Sequence, residues 1–330
     1  MEAKRVLVRS YVAQGLNLDI CLSMTQLPRS TYYYRPTGLP KGKKPSTHTI
    51  YRGNPVTNGQ VVKRIKSILA QPFIDYGYKK VTPVLKELGY EIGKSKVYRL
   101  MKINSLLHPS IKPKPRSFRN RVWTSPQPNG PLEILEMDIK YVWINGLNRY
   151  AYLVTIFDTF NLQALSWVLN LNMKTKQVKQ VIAKMIDTQL IPKTIDPKKI
   201  ELYMRTDNGS QFRSEEYLTM LNEIGIQTQY IPKATPQLNG HIEGFHSLIS
   251  KLVCNKIEFQ SLEHARTIFR SFFKVYNEKR IISTLVNKSP VHFTLLWQQN
   301  KVGMKMKNGK RIYFLKGEDP KMSLHPSRLL

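Results

Sequence analysis

Three carboxylates have the residue types and spacing to do chemistry. Asp138 lies in the middle of the apolar run "LEILEMDIKYVWI", Asp207 follows the short run "IELYMRT", and Glu243 opens the helical stretch "NGHIEGFHSLISKLV". A charged group inside an apolar strand is costly unless it is paired or holds a cation. Together the three would form a hard, all-oxygen donor set suited to Mg²⁺ or Mn²⁺. Two such ions, about 3.5–4 Å apart, can activate an attacking oxygen and stabilise a leaving one in phosphoryl transfer. The sequence Asp207-Asn208-Gly209 also carries the signal of a tight hairpin turn, so Asp207 has a turn-forming reading beside the metal-binding one.

The surrounding elements could bring these acids together. From residue 135 the apolar period is strand-like: "LEILEMDIKYVWI", "RYAYLVTIFDTF" and "LQALSWVLNL" are separated by short polar turns and predict an antiparallel meander. A helix follows, with Val178, Val181, Ile182, Met185 and Ile186 on one face. Next come a strand ending at Asp207, a helix over "SEEYLTMLNEIG", a short strand "IQTQYI", and the helix carrying Glu243. The order βββαβαβα predicts an α/β fold with a ribonuclease H-like mixed five-stranded sheet and flanking helices. In that arrangement the first and fourth strands are neighbours, with the Glu243 helix beside them. Asp158, in "TIFDTF", is read as a structural acceptor at a strand end. His241 and His246 have no ligand partners at zinc spacing and are read as ordinary helix residues.

Charge points to a polyanionic partner. The chain carries 52 Lys+Arg against 22 Asp+Glu, a net charge of +30. Residues 1–130 hold 24 basic and 5 acidic residues, 131–250 hold 12 of each, and 251–330 hold 16 and 5. A neutral centre between basic flanks fits a catalytic core with nucleic-acid-binding arms, because each neutralised phosphate releases counterions. The segmentation follows: helix-turn-helix rhythm over 1–35, a linker at 36–59 rich in Pro, Gly and Lys, and a second all-helical helix-turn-helix-type module over 60–107. A basic, Pro-rich connector at 108–130 leads into the core at 131–292, and a basic tail at 293–330 contains a predicted hairpin around Asn308-Gly309. Lys94, Lys96 and Arg99 lie on the helix "GKSKVYRLMKI", placed to read DNA. No apolar run approaches the length of a membrane span, and Cys21 and Cys254 read as buried free thiols of a reducing compartment. A cytoplasmic, nucleoid-associated protein is expected.

Asp207 and Glu243 are separated by 35 residues. With "LEMDIKYV", "RTDNGSQF" and "PQLNGHIEGFH" they resemble the D,D-35-E core of retroviral integrases and insertion-sequence transposases. The stretch "YGYKKVTPVLKELGYEIGKSKVYRLMKINSLL", the early "RSTYYYR" and the late "YNEKR…SP" resemble the second, OrfB-type product of two-frame insertion sequences, so the likeness runs over about residues 20–292. The resemblance implies that Asp138, Asp207 and Glu243 hold two Mg²⁺ or Mn²⁺ ions. It implies cleavage at the terminal repeats of a mobile element and joining of the 3′-hydroxyl to target DNA, by a homo-oligomer on double-stranded DNA, with or without a small first-frame helix-turn-helix protein. Lys140, Lys251 and Arg280 would be further DNA contacts. The sequence departs from the family pattern in three places: Lys140 stands where many relatives have Thr, Ser250 with Lys251 next to it stands where a basic residue is usual, and Ile282 replaces a His. The competing readings are a catalytically retired DNA-binding regulator and a nuclease for RNA–DNA hybrids. Two tandem DNA-reading modules disfavour the nuclease, and the intact set of three repelling acids disfavours the regulator.

Overall fold

The computed structural model describes residues 2–34, 45–109, 127–193, 195–196, 201–231, 239–307 and 310–317. Most of the predicted connector at 108–130 and the Asn308-Gly309 turn lie outside the described residues. The chain divides into two compact units, Met1–Thr47 and His48–Leu330.

The first unit holds the three expected short helices: α1 (Glu2–Ala13), α2 (Leu18–Thr25) and α3 (Arg29–Tyr33). Asn17 caps α2 by accepting from the Asp19 amide, the usual remedy for the unpaired donors of a helix start. Val8, Cys21, Leu22 and Leu27 form its small core.

The second unit begins differently from the expectation. Part of the predicted 36–59 linker is a hairpin of β1 (His48–Tyr51) and β2 (Asn54–Thr57), and β3 (Tyr90–Glu91) adds to β1 as a third strand. The second module is therefore not all-helical. Its helices are α4 (Asn58–Leu69), α5 (Tyr78–Glu87) and α6 (Lys94–Ile103). Thr57 and Gln60 make a capping box at the start of α4. Val61, Ile65, Val81, Leu85, Val97 and Met101 supply the core, joined by Ile281 from the far end of the chain.

The core domain has the predicted order. β4 (Ile134–Ile144), β5 (Arg149–Asp158) and β6 (Ala164–Asn170) form the antiparallel meander; β7 (Tyr203–Thr206) and β8 (Gln227–Tyr230) add in parallel, giving the sheet order β6-β5-β4-β7-β8. Parallel neighbours need a crossover connection. α8 (Glu215–Ile224) supplies it between β7 and β8, and α7 (Thr175–Met185) lies between β6 and β7. Side chains alternate across the sheet. Leu135, Met137, Val154 and Ile156 face α7 and α8, whereas Val142, Ile144, Ala151 and Leu153 face α9 (Gly240–Ile249) and α10 (Leu262–Glu278). The α10 face is built from Phe269, Phe272, Phe273 and Tyr276, each buried; full burial of such a side chain stabilises by about 1.5–3 kcal/mol. Beyond it, α11 (Pro290–Gln298) and the antiparallel pair β9 (Val302–Lys307) and β10 (Lys310–Leu315) pack through Phe293, Val302 and Tyr313 against Phe160.

Candidate active site

The β4–β7 register runs to two residues before the first two acids. In the β4–β7 pair, Ile134 is opposite Tyr203, Leu135 opposite Met204 and Glu136 opposite Arg205. The same offset, carried two residues past the end of that ladder, would bring Asp207 level with Asp138. Asp207 is not in a hairpin: β7 ends at Thr206, and the chain turns through Ser210–Phe212 into α8. Asn208 and Gly209 shape that exit. The Asn208 amide donates to the Ile231 carbonyl at 2.7 Å, its oxygen accepts from Arg213, and the Gly209 amide donates to Asp207 Oδ1 at 2.9 Å.

Glu243 lies in the first turn of α9, a position where the helix dipole favours negative charge. Its carboxyl is held above the usual value by lost hydration first, then by the charges of Asp138 and Glu136, with His246 acting in the opposite sense. His246 lies one turn further along the helix, with its Nδ1 3.3 Å from Asp138 Oδ2. Asp138 Oδ1 accepts from the Ile139 amide at 2.8 Å. His246 is buried, and its Nε2 has no hydrogen-bond partner among the described residues. It thus contacts one of the candidate acids, a contact that the reading of His246 as an ordinary helix residue did not include.

The three acids are accessible from solvent: Asp207 and Glu243 are exposed, and the Asp138 side chain is 25% exposed. Among the described residues, no three His, Cys, Asp or Glu groups are drawn around a single point closely enough to cage a cation. The donor set itself fits a hard divalent ion: only carboxylate oxygens, with a mutual repulsion that a cation relieves.

Glu136 is the residue that sequence reasoning missed. Its side chain is fully enclosed, and it accepts from the Ile242 amide at 2.8 Å, lies 3.1 Å from His241 Nδ1 and pairs with Arg205 at 3.5 Å. The cost argument applied to Asp138 applied equally to this second charge in the same strand. Asp158 is structural, as read: it is buried, accepts from the Leu132 and Phe160 amides, and is raised to about 6, burial being the largest cause.

The expected DNA contacts divide. Lys94 is exposed on α6. Lys96 donates to the His48 carbonyl, and Arg99 and Lys140 are half-buried. Arg280 lies inside the protein, 4% exposed, donating to the Phe73 carbonyl at 2.9 Å and to Asp75 at 2.6 Å, with its guanidinium over the Tyr76 ring. A group so enclosed has no face for a phosphate. Lys251 also reaches Asp75, at 2.5 Å, but keeps 62% of its side chain exposed.

Comparison with known proteins fits this architecture. The integrase core domain family matches residues 128–236 and, through a second description of the same domain, 224–290. InsK of insertion sequence element IS150 from Escherichia coli (strain K12) is 26% identical over 87% of this chain and 96% of its own length. The transposase for insertion sequence element IS904 of Lactococcus lactis subsp. lactis is 24% identical over 70% of this chain and 92% of its own length. The solved catalytic core domain of HTLV-2 integrase, in complex with magnesium, is 15% identical over 51% of this chain and 99% of that one, with a TM-score of 0.39.

Residues 128–290 are thus an integrase core domain with a ribonuclease H-like sheet. The chain is a transposase of the insertion-sequence kind, with an integrase-like core. No helix of the described residues is long and apolar enough to cross a membrane.

Proposed function

We propose that this transposase cuts DNA at the ends of its element and joins the freed 3′-hydroxyl to a target strand, using Asp138, Asp207 and Glu243 as ligands of two Mg²⁺ or Mn²⁺ ions. When bound, such ions activate the attacking oxygen and stabilise the leaving one in an in-line displacement. The side chains do the rest. Asp138 and Asp207 present oxygens from neighbouring strands, and Glu243 adds a third from the helix start. Lost hydration and then the charges of Asp138 and Glu136 hold the Glu243 carboxyl above its ordinary value, so a cation that binds there displaces its proton more readily than it would be lost from the empty site. His246 holds Asp138 in place until a cation replaces that contact. Exposed Lys94 and Lys251 contribute phosphate contacts, and Lys96, Arg99 and Lys140 lend positive potential from half-buried positions. Assembly is as a homo-oligomer on two element ends, with or without a small first-frame helix-turn-helix partner, near the nucleoid.

The observation that supports this reading is the β4–β7 register, whose offset carried two residues past Glu136 and Arg205 would bring Asp138 level with Asp207, with the start of α9, which carries Glu243, tied to β4 by the Glu136–Ile242 hydrogen bond. A retired regulator has no use for the mutual repulsion of these acids. The test is cleavage and joining of an element-end duplex in Mg²⁺ by the wild-type chain and by Asp138→Asn. The substitution should remove at least ~10³-fold of the rate, with DNA binding retained. Equal rates would sink the proposal.

A further inference from the structure

Glu136, Arg205 and His241 stand two residues before Asp138, Asp207 and Glu243, respectively. On a strand, residues two apart share a face, so Glu136 and Asp138 both point toward α9. Glu136 Oε1 is 3.1 Å from His241 Nδ1 and 3.5 Å from Arg205 Nη1, while Oε2 accepts from the Ile242 amide at 2.8 Å. Arg205 is 4% exposed, and its Nε donates to Gln229 on β8 at 2.9 Å. One enclosed carboxylate therefore ties together the three backbone segments that carry the three acids, and reaches β8 through Arg205.

Stability alone is a poor reason to keep such a cluster. Replacing a buried ion pair with well-packed apolar side chains is often neutral or stabilising. An apolar residue at 136 could not accept from the Ile242 amide, which belongs to the residue immediately before Glu243. It would remove the polar tie that fixes the start of α9 against β4, and with it a restraint on Glu243 relative to Asp138. Groups that orient metal ligands commonly control cation affinity by about 10–100-fold.

We infer that Glu136, with Arg205 and His241, is a positioning device that fixes the spacing of Asp138, Asp207 and Glu243 and so sets the affinity of their site for a divalent cation. This rests on the reading of those three acids as cation ligands. Helix capping alone makes a different forecast: its loss would lower stability and leave cation affinity unchanged.

The experiment measures Mn²⁺ uptake by the full chain without DNA, from the spectroscopic signal of free Mn²⁺, with urea unfolding of the metal-free proteins alongside. Asp138→Asn should remove the uptake. Glu136→Gln and His241→Ala should each weaken it about tenfold. His241→Asn, which can present an amide nitrogen near the position of Nδ1, should restore most of it. The His241 side chain is 40% exposed, so His241→Ala should unfold at nearly the wild-type urea concentration, and it decides the matter if Glu136→Gln does not fold. Wild-type Mn²⁺ affinity in folded His241→Ala overturns the inference, as does a loss that His241→Asn fails to repair. A wild-type chain that takes up no Mn²⁺, or an Asp138→Asn chain that takes it up unchanged, overturns the ligand reading first and this inference with it.

Discussion

The Arg280 guanidinium lies 2.6 Å from the Asp75 carboxylate, although 205 positions separate the two residues, and their side chains are only 5% and 8% exposed. Ile281 donates its amide to the Tyr76 hydroxyl at 2.7 Å, and Phe73 meets Phe272 edge-on at 5.5 Å. These contacts fasten the α4–α6 module to the end of α10. Burial opposes the Asp75 charge, yet the hydrogen bonds from Lys251 and Arg280 outweigh it and hold the carboxyl below its ordinary value. Burial, followed by the positive charge of Arg280, draws Lys80 down to about 8.

Removing one partner of an enclosed ion pair leaves an uncompensated charge and costs about 3–5 kcal/mol. Arg280→Ala should lower stability in urea by that amount. Lys251→Ala removes an exposed partner and should cost no more than about 1 kcal/mol. Equal losses would show that the seam does not depend on Arg280.

Asp158 sets a pH dependence. Burial raises its folded-state value from 3.8 to about 6, against the Phe160 and Leu132 amides that favour the charged form. The folded chain therefore holds this proton more tightly than the unfolded chain. The stability it contributes is present below about pH 4 and is lost as pH rises through about 6, up to about 3 kcal/mol in all. Asp158→Asn should flatten this part of the stability profile in urea titrations across the range. A slope unchanged by the substitution would refute the assignment.

Lys94 is exposed at the start of α6 and has no ion-pair partner among the described residues. If it meets a phosphate, Lys94→Ala should weaken binding about equally across DNA sequences and reduce the slope of log affinity against log salt by about 0.9. Fluorescence anisotropy at several salt concentrations measures this slope, and an unchanged value would place the lysine off the DNA.

Apolar alternation made the meander legible, and the α7 stripe and the three acids could be read with it, because each signal lies within a dozen residues. The first module's helices were visible for the same reason. What escaped depends on distant pairing. β1 and β2 lie in a stretch whose Pro, Gly and Lys content suggests a linker, and the sheet is completed only by Tyr90 and Glu91, some forty residues later. Arg280 read as a surface cation because its partner, Asp75, belongs to another module. Glu136 was overlooked although the argument that singled out Asp138 covers it: its partners Arg205 and His241 become neighbours only once β7 and α9 have packed.

Changing the Asp207 oxygen and the cation together tests most directly whether that oxygen is a cation ligand. A thiolate suits Mn²⁺ better than Mg²⁺. In an element-end cleavage assay, Asp207→Cys should be inactive with Mg²⁺ and regain measurable cutting with Mn²⁺, while Asp207→Asn stays inactive with both. Cutting by either variant in Mg²⁺ at the wild-type rate would contradict the account.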